Sequence, residues 1–354
     1  MRSHSLRNRA LVATGALVVA ASLIGAPGVV AQDDQLTAAY VSTGPIGVNP
    51  FLQLIAAGLK QGGQDFNVQT NVIESSDIAA LEDNLRAAID DGNDLIVANS
   101  FDSVDAVTRL SQEYPDQKFA LVDTGIDGAP NVRGLVFKEH EGAYLVGAIL
   151  GLLATGKYEG YPASEKIGAV GAIDLPFIRR WLVGMEEGAK AVNPDVTFLE
   201  GWGNSFNDPD TSKELALAQN EQGAQYVFAF AAGGNYGVFE AAKEKNFFTT
   251  GVDTDQRSID PAHIVESVVK RTDVGVYQAV KDLAAGTFSG GYQAFGLAEN
   301  GVGPAFLILD DADPSTLPQE VQDTVRDLAK KIVSGEIMVT DYLAQPAPSA
   351  SPAS

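Results

Sequence analysis

The sequence predicts an α/β protein of two similar Rossmann-like lobes, each built on a parallel sheet. The first observation is an internal echo. Pro50-Phe51 is followed by six residues, Gly58, three residues and Gly62, and the same pattern returns at Pro176-Phe177, Gly184 and Gly188. Each copy follows a short apolar run, 38–41 and 167–170. The second observation is that the echo continues. A helical stretch stopping at Gly92 and the run 94–98 answer a stretch stopping at Gly223 and the run 225–230. Val122-Asp123-Thr124 likewise answers Val252-Asp253-Thr254. The offset stays within roughly 126–131 residues, and long self-similarity of fixed period marks repeated architecture. The repeated unit here is a whole lobe.

The elements follow in order. Residues 1–31 have the form of a secretory signal. Arg2, Arg7 and Arg9 give a positive start, 10–24 an apolar run, and Val29-Val30-Ala31 small residues before a cleavage point after Ala31. That run is shorter than the roughly 20 residues a spanning helix needs, so an exported protein without direct membrane insertion is expected. In the first lobe, strand 37–41 leads into a Gly- and Pro-rich loop, 42–50. Phe51, Leu52, Ile55 and Leu59 then mark one apolar helix face. A strand near 68–73 precedes a helix with Ile78, Leu81, Leu85 and Ile89 on one side. Run 95–98 is continuously apolar, as in a parallel strand covered on both faces. A helix over 104–112 and a strand 119–122 ending on Asp123 complete the alternation, which predicts a parallel sheet.

After strand 134–137 the chain is expected to make the first of three hinge crossings, and helix 141–154, rich in Ala, Gly and Leu, suits close packing. Strands 167–170, 196–200, 226–229 and 247–252 repeat the first plan, with helices 177–191, 210–222 and 236–245 between them. Strand 264–268 and helix 274–284 are expected to return to the first lobe, and the glycine-rich stretch 290–303 to cross again. The expected division is 36–138 plus 264–286 for lobe one and 139–263 plus 287–312 for lobe two. Residues 313–344 are expected to form a helical C-terminal segment and 345–354, only Pro, Ala and Ser after Gln345, a disordered tail.

Composition narrows the function. Apolar residues make up 45% and charged residues 20%, as in a globular protein with a real core. The net charge is −22, and removing the three leader arginines leaves the rest near −25. Such an excess repels phosphate backbones and anionic lipids, which argues against nucleic-acid partners. There is no cysteine, which excludes disulfides, thiolate metal sites, a cysteine nucleophile and an acylated cysteine anchor. Gly151 to Tyr158 matches most of a phosphate-binding loop, yet Tyr158 stands where the magnesium-holding hydroxyl belongs. His140 and His263, the histidines outside the leader, lack metal-ligand spacing, and no nucleophile-elbow or zinc-protease motif is present. Asp123 and Asp253 are the natural carboxylate pair for a hydrolase, the reading from another class. No enzyme activity and no cofactor are expected.

The repeat offers a cleft instead. Ligands in open α/β sheets bind beyond the C-terminal strand ends, and two facing lobes would line one cavity with 42–51, 99–103, 123–124, 172–177, 202–208, 231–237 and 253–256. Phe51, Phe101, Phe177, Trp202, Phe206 and Tyr236 fall in or beside these loops. Rings stack on flat ligands and carboxylates accept from hydroxyls.

The residues also carry a resemblance. Glu141-Gly142-Ala143-Tyr144-Leu145-Val146-Gly147, Val170-Gly171-Ala172-Ile173-Asp174-Leu175-Pro176, Ser205-Phe206-Asn207-Asp208, Gly251-Val252-Asp253-Thr254-Asp255-Gln256 and Ser267-Val268-Val269-Lys270 resemble the basic membrane protein family. This is the purine nucleoside receptor group of substrate-binding proteins for ABC transporters. The resemblance implies a type I periplasmic-binding fold, a monomer, a nucleoside-like ligand and a membrane ABC permease as partner. By it, Phe51 and Phe206 would sandwich a base and Asp253 would accept from ribose hydroxyls. Lys270, Asp123 and Gly233 would complete the polar shell, with Asn99 and Phe177 beside them. A sensory or chemotaxis adaptor is the alternative use of the same binding. The first loop departs from the family pattern: Ser42, Val48 and Leu52 stand where Asp, Asp and Asn are usual. A site that loses such polar groups loses discrimination at a ring edge, which implies a modified base, a free base or another ring compound. The absent anchor cysteine implies a free receptor or one held by a partner.

Overall fold

Apolar runs and amphipathic stretches alternate in the computed structural model, which describes residues 35–312 and 314–344. The leader expected at 1–31 and the tail at 345–354 lie outside the described residues. The first lobe runs β1 (Thr37–Ser42), α1 (Pro50–Phe66), β2 (Gln69–Glu74), α2 (Leu81–Asp90), β3 (Leu95–Asn99), α3 (Val104–Glu113), β4 (Lys118–Val122) and β5 (Val132–Phe137). The second runs α4 (Glu139–Ala154), β6 (Lys166–Gly171), α5 (Pro176–Val192), β7 (Thr197–Trp202), α6 (Pro209–Glu221), β8 (Tyr226–Phe230), α7 (Asn235–Lys245), β9 (Phe248–Asp253) and β10 (Ile264–Lys270). Helix α8 (Thr272–Ala284) and strand β11 (Gly291–Phe295) go back to the first lobe. Strand β12 (Val302–Pro304), α9 (Ala305–Ile308) and α10 (Gln319–Val333) follow on the second.

Two six-stranded sheets result among the described residues, ordered β11-β5-β4-β3-β1-β2 and β12-β10-β9-β8-β6-β7. All pairings are parallel except β10 with β12. The central strands β3 and β8 are buried along their whole length, which is why their sequences are unbroken apolar runs rather than alternations.

Two assignments of the sequence reading are corrected. Strand 264–268 does not return to lobe one. It is the body of β10, which pairs in parallel with β9, Val268 opposite Val252. A short strand with Ile264, Val265 and Val268 around Glu266 and Ser267 fits either sheet by sequence, and the crossing falls only after Lys270. Residues 291–295 do not belong to lobe two, because β11 extends the first sheet with Phe295 opposite Phe137.

The echoed glycines explain how each lobe is closed. A Cβ on Gly58 would be driven into the backbone of Asp273 in α8, and one on Gly62 would meet the Val280 side chain at 2.9 Å. In the second lobe, side chains on Gly184 and Gly188 would collide with the carbonyls of His140 and Tyr144 in α4. Each Pro-Phe helix therefore lies backbone to backbone on the helix that follows a crossing. Helix α4 is apolar nearly all round and almost wholly buried, as a helix packed on every side must be.

Candidate functional site

Helices α1 and α5 both start with Pro at the first turn, where the missing N–H costs nothing. Asn49 caps α1, its Oδ1 accepting from Phe51 N at 3.1 Å and Leu52 N at 3.4 Å. The Phe after each Pro, Phe51 and Phe177, is set at a helix start facing the space between the lobes. That space is a cavity of ≈ 240 Å³. Phe51, Asn99, Asp123, Phe177, Phe206, Asp253 and Lys270 all line it. Gly233 does not. It sits behind the 206–207 loop, where a Cβ would press on Asn207 Oδ1 at 2.6 Å and Phe206 O at 3.1 Å.

Asp123 directly follows β4 and Asp253 ends the equivalent strand β9, and both take the left-handed backbone region, φ 77 and 66. Non-glycine residues rarely hold it, Asp being among the most tolerant. The turn brings both carboxylates onto the cavity wall. Lys270 ends β10, only 2% exposed, and its Nζ stands 2.6 Å from Asp123 Oδ1 and 2.9 Å from Glu139 Oε1. The rings of Phe51, Phe137, Phe177 and Trp181 surround the same ammonium, with centroids at 5.1, 5.3, 5.3 and 5.8 Å, close enough for cation–π attraction. Burial disfavours its charge, but Asp123, Glu139 and Asp253 outweigh that and raise its pKa.

Asp253 differs. It is 5% exposed, and among the described residues no side chain bonds its carboxylate. Burial pushes its pKa up to about 7, with Lys270 opposing and Asp123 and Glu139 adding to the rise. Asp123, also desolvated but held by Lys270, is raised to about 6. For Glu139 burial pulls upward, yet Lys270 and Arg180 together hold it below the usual carboxylate range. Asn99 is spent internally: its Oδ1 accepts from Tyr40 Oη at 2.9 Å and its Nδ2 donates to Thr43 and Ser100 hydroxyls at 3.1 and 3.0 Å.

Strand order grades the cavity along its length. Next to the hinge come the ends of β4, β9 and β10, with Asp123, Asp253 and Lys270. Far from it come Pro45 and Ile78, beyond β1 and β2, and Leu52 in the first turn of α1. The hinge end carries the charges amid aromatic rings, and the far end joins apolar side chains to Thr43 and Asn49.

Some expectations move. Phe101 lines the cavity, whereas Trp202 packs edge-on against Phe230 at 5.6 Å with the Arg179 guanidinium 5.2 Å over its ring. Tyr236 packs on Phe239 at 5.9 Å and lies outside the lining. Of the departures in the first loop, only Leu52 reaches the cavity. Val48 is 64% exposed, and Ser42 is buried with its hydroxyl donating to Gly44 O at 2.6 Å. The sequence reading passed over Glu139, Arg180 and Trp181. An arginine inside the apolar face Ile178-Trp181-Leu182 was the available signal, since a buried guanidinium needs a built partner.

Two α/β lobes joined three times over a partly charged, aromatic cavity define a ligand-binding protein of the two-lobed class. A family model described as ABC transporter substrate-binding protein PnrA-like matches residues 35–342, and the chain belongs to that family. It is similar to basic membrane protein A2 of Borrelia garinii, 30% identical over 291 residues that cover 80% of this chain and 81% of the relative. It is also similar to an uncharacterized lipoprotein of Pyrococcus horikoshii, 33% identical over 283 residues, 69% and 68% of the two chains. Among solved structures, an ABC transporter solute-binding protein from Aeropyrum pernix aligns with TM-score 0.76 at 28% identity, covering 86% of this chain and 92% of that one. The relative named a lipoprotein gives no support to an anchor-free receptor, although this sequence contains no cysteine. Among the described residues no helix is long and apolar enough to cross a membrane.

Proposed function

We propose that this substrate-binding protein is exported, captures a purine nucleoside or a related hydroxylated ring compound, and presents it to a membrane ABC permease. Capture involves no chemistry. A ligand touching both lobes favours the closed arrangement, and the permease reads that arrangement.

The observation that carries this reading is Asp253: a carboxylate buried in the cavity wall without a side-chain partner, beside a lysine and several aromatic faces. A buried carboxylate left without partners is costly, and a ligand with adjacent hydroxyls supplies the missing donors. The rings of Phe51, which also flanks the Lys270 ammonium, and Phe206 then hold the flat part of the ligand.

The test is a thermal-shift panel on the protein from Gln32 onward with nucleosides, free bases and sugars, each checked afterwards for turnover. A ligand at about 100 times its Kd adds roughly 2.7 kcal/mol. A shift with intact guanosine, inosine or adenosine supports the reading. A shift only with sugars or free bases replaces the ligand class, and turnover of any compound overturns capture without chemistry.

A further inference from the structure

A line of alternating charges leaves the ligand cavity and ends on the C-terminal segment. Asp123 pairs with Lys270, and Lys270 with Glu139 Oε1. The other oxygen of Glu139 is 2.7 Å from Arg180 Nη1, which also donates to Phe137 O at 2.8 Å. The outer edge of the Arg180 guanidinium forks onto Asp341, Nε to Oδ1 at 2.8 Å and Nη2 to Oδ2 at 3.0 Å. Glu139 is fully buried and Arg180 7% exposed, while the Asp341 side chain is 30% exposed. The segment carrying Asp341 follows α10 and is tied down by Thr340 N donating to Glu187 Oε2 at 2.9 Å on α5.

We infer that Asp341 and Arg180 are positioning residues for the ligand site, fixing Glu139 and through it the Lys270 ammonium. Arg180 needs all its acceptors, because a buried guanidinium with an empty edge is expensive. Without the Asp341 carboxylate it draws Glu139 toward itself. Lys270 then shifts toward Asp123, and the donor offered to the cavity moves with it. A two-oxygen fork transmits direction as well as charge, which a single surface ion pair would not. Neither residue touches the cavity, so a merely structural role would alter melting temperature alone.

This inference rests on the ligand site proposed above, and its test separates the two. The chain has two tryptophans, Trp181 and Trp202. Trp181 lines the cavity beneath Lys270, so Trp202→Phe leaves a reporter beside the charge line. Its emission is followed from pH 4 to 9 without ligand, with circular dichroism confirming the fold throughout. The groups facing Lys270 are Asp123, Glu139 and Asp253, and those facing Arg180 are Glu139, His140 and Asp341. Lys270 drawn closer to Asp123 favours the ionised carboxylate, so Asp341→Asn moves the titration midpoint to lower pH, by about half a unit or more, beyond any shift seen on removing the exposed anion Asp327 by Asp327→Asn. Asp341→Glu restores it. With guanosine or inosine as probe, Asp341→Asn weakens binding by roughly tenfold and Asp341→Glu by less. A Trp181 titration in Asp341→Asn that superimposes on that of its parent overturns the inference. If no nucleoside binds the parent while the midpoint still shifts, the positioning role stands and the nucleoside reading falls.

Discussion

Lys270 Nζ and Asp123 Oδ1 stand 2.6 Å apart although their strands belong to different sheets. Lys270 is the last residue of β10, one position before the second crossing, and its other partner Glu139 opens α4 just after the first. One ammonium thus ties the end of β4 in lobe one to the residues beside the first and second crossings while lining the cavity. Whatever a ligand does to the field at Lys270 is felt at the hinge directly.

Replacing Lys270 by Met should show how much that tie contributes. It leaves the Asp123 and Glu139 carboxylates buried without their shared cation, a loss of about 3–5 kcal/mol for a broken buried pair. The melting temperature at pH 8 should fall by roughly 5–15 °C. Glu139 keeps Arg180, and protonating Asp123 removes the charge left unpaired, so the deficit should shrink as pH falls toward 5. A deficit independent of pH in differential scanning calorimetry would refute the electrostatic account.

Asp253 predicts a conflict between stability and binding. Its carboxyl titrates near 7 in the fold against an ordinary 3.8, so the native state holds this proton more tightly than the unfolded chain. A raised carboxylate costs stability as pH rises through that window, with the full cost above about 7. Asp253→Asn should therefore melt higher than the parent, the gain growing from pH 4 to 7 and then levelling. Asp123 and Glu266, raised to about 6 and about 7 chiefly by burial, titrate in the same direction. Only the difference between variant and parent isolates Asp253. Ligand hydroxyls need the ionised form, so nucleoside affinity of the parent should fall by up to about tenfold per pH unit below 7. The variant should bind weakly at every pH. Calorimetric titration at pH 5, 6, 7 and 8 reads both.

The helix pair α4–α5 gives a packing prediction. Gly188 faces the Tyr144 carbonyl with no room for a Cβ, and the obstacle is backbone, not a side chain that could swing away. Gly188→Ala should cost roughly 1–3 kcal/mol as the helices separate. Because α5 carries Phe177, Arg180 and Trp181, ligand affinity should drop with stability. Unchanged melting would show that α4 and α5 can separate without cost.

How much of this could be read from the chain itself depends on the distance between partners. The lobes were legible because strands covered on both faces leave unbroken apolar runs, and because the Pro-Phe helices repeat their glycines at the positions where another helix must touch. Asp123 and Asp253 were legible as equivalent strand ends. The charge line was not. Arg180 lies 41 residues from Glu139 and 161 from Asp341, and no periodicity links such positions. The sheet that owns β10 was hidden too, since the run 264–269 satisfies either lobe and only hydrogen-bond register against β9 decides.

The altered first loop gives the last prediction. Val48 and Leu52 both replace polar residues of the family pattern, yet they stand in opposite environments. Val48 is 64% exposed and absent from the cavity wall, whereas Leu52 is 5% exposed and part of it. Val48→Asp adds a solvated charge, and its effect on nucleoside affinity should stay within about twofold, as for a surface substitution. Leu52→Asn places an amide against the ring edge of the ligand. It should improve guanosine or inosine over a purine riboside without edge donors by about tenfold, the scale on which a paired polar group discriminates. Competition binding with the three nucleosides compares them in one experiment. Should Val48→Asp change the preference as much as Leu52→Asn, the loop must fold inward on binding and the static wall would not be what the ligand meets.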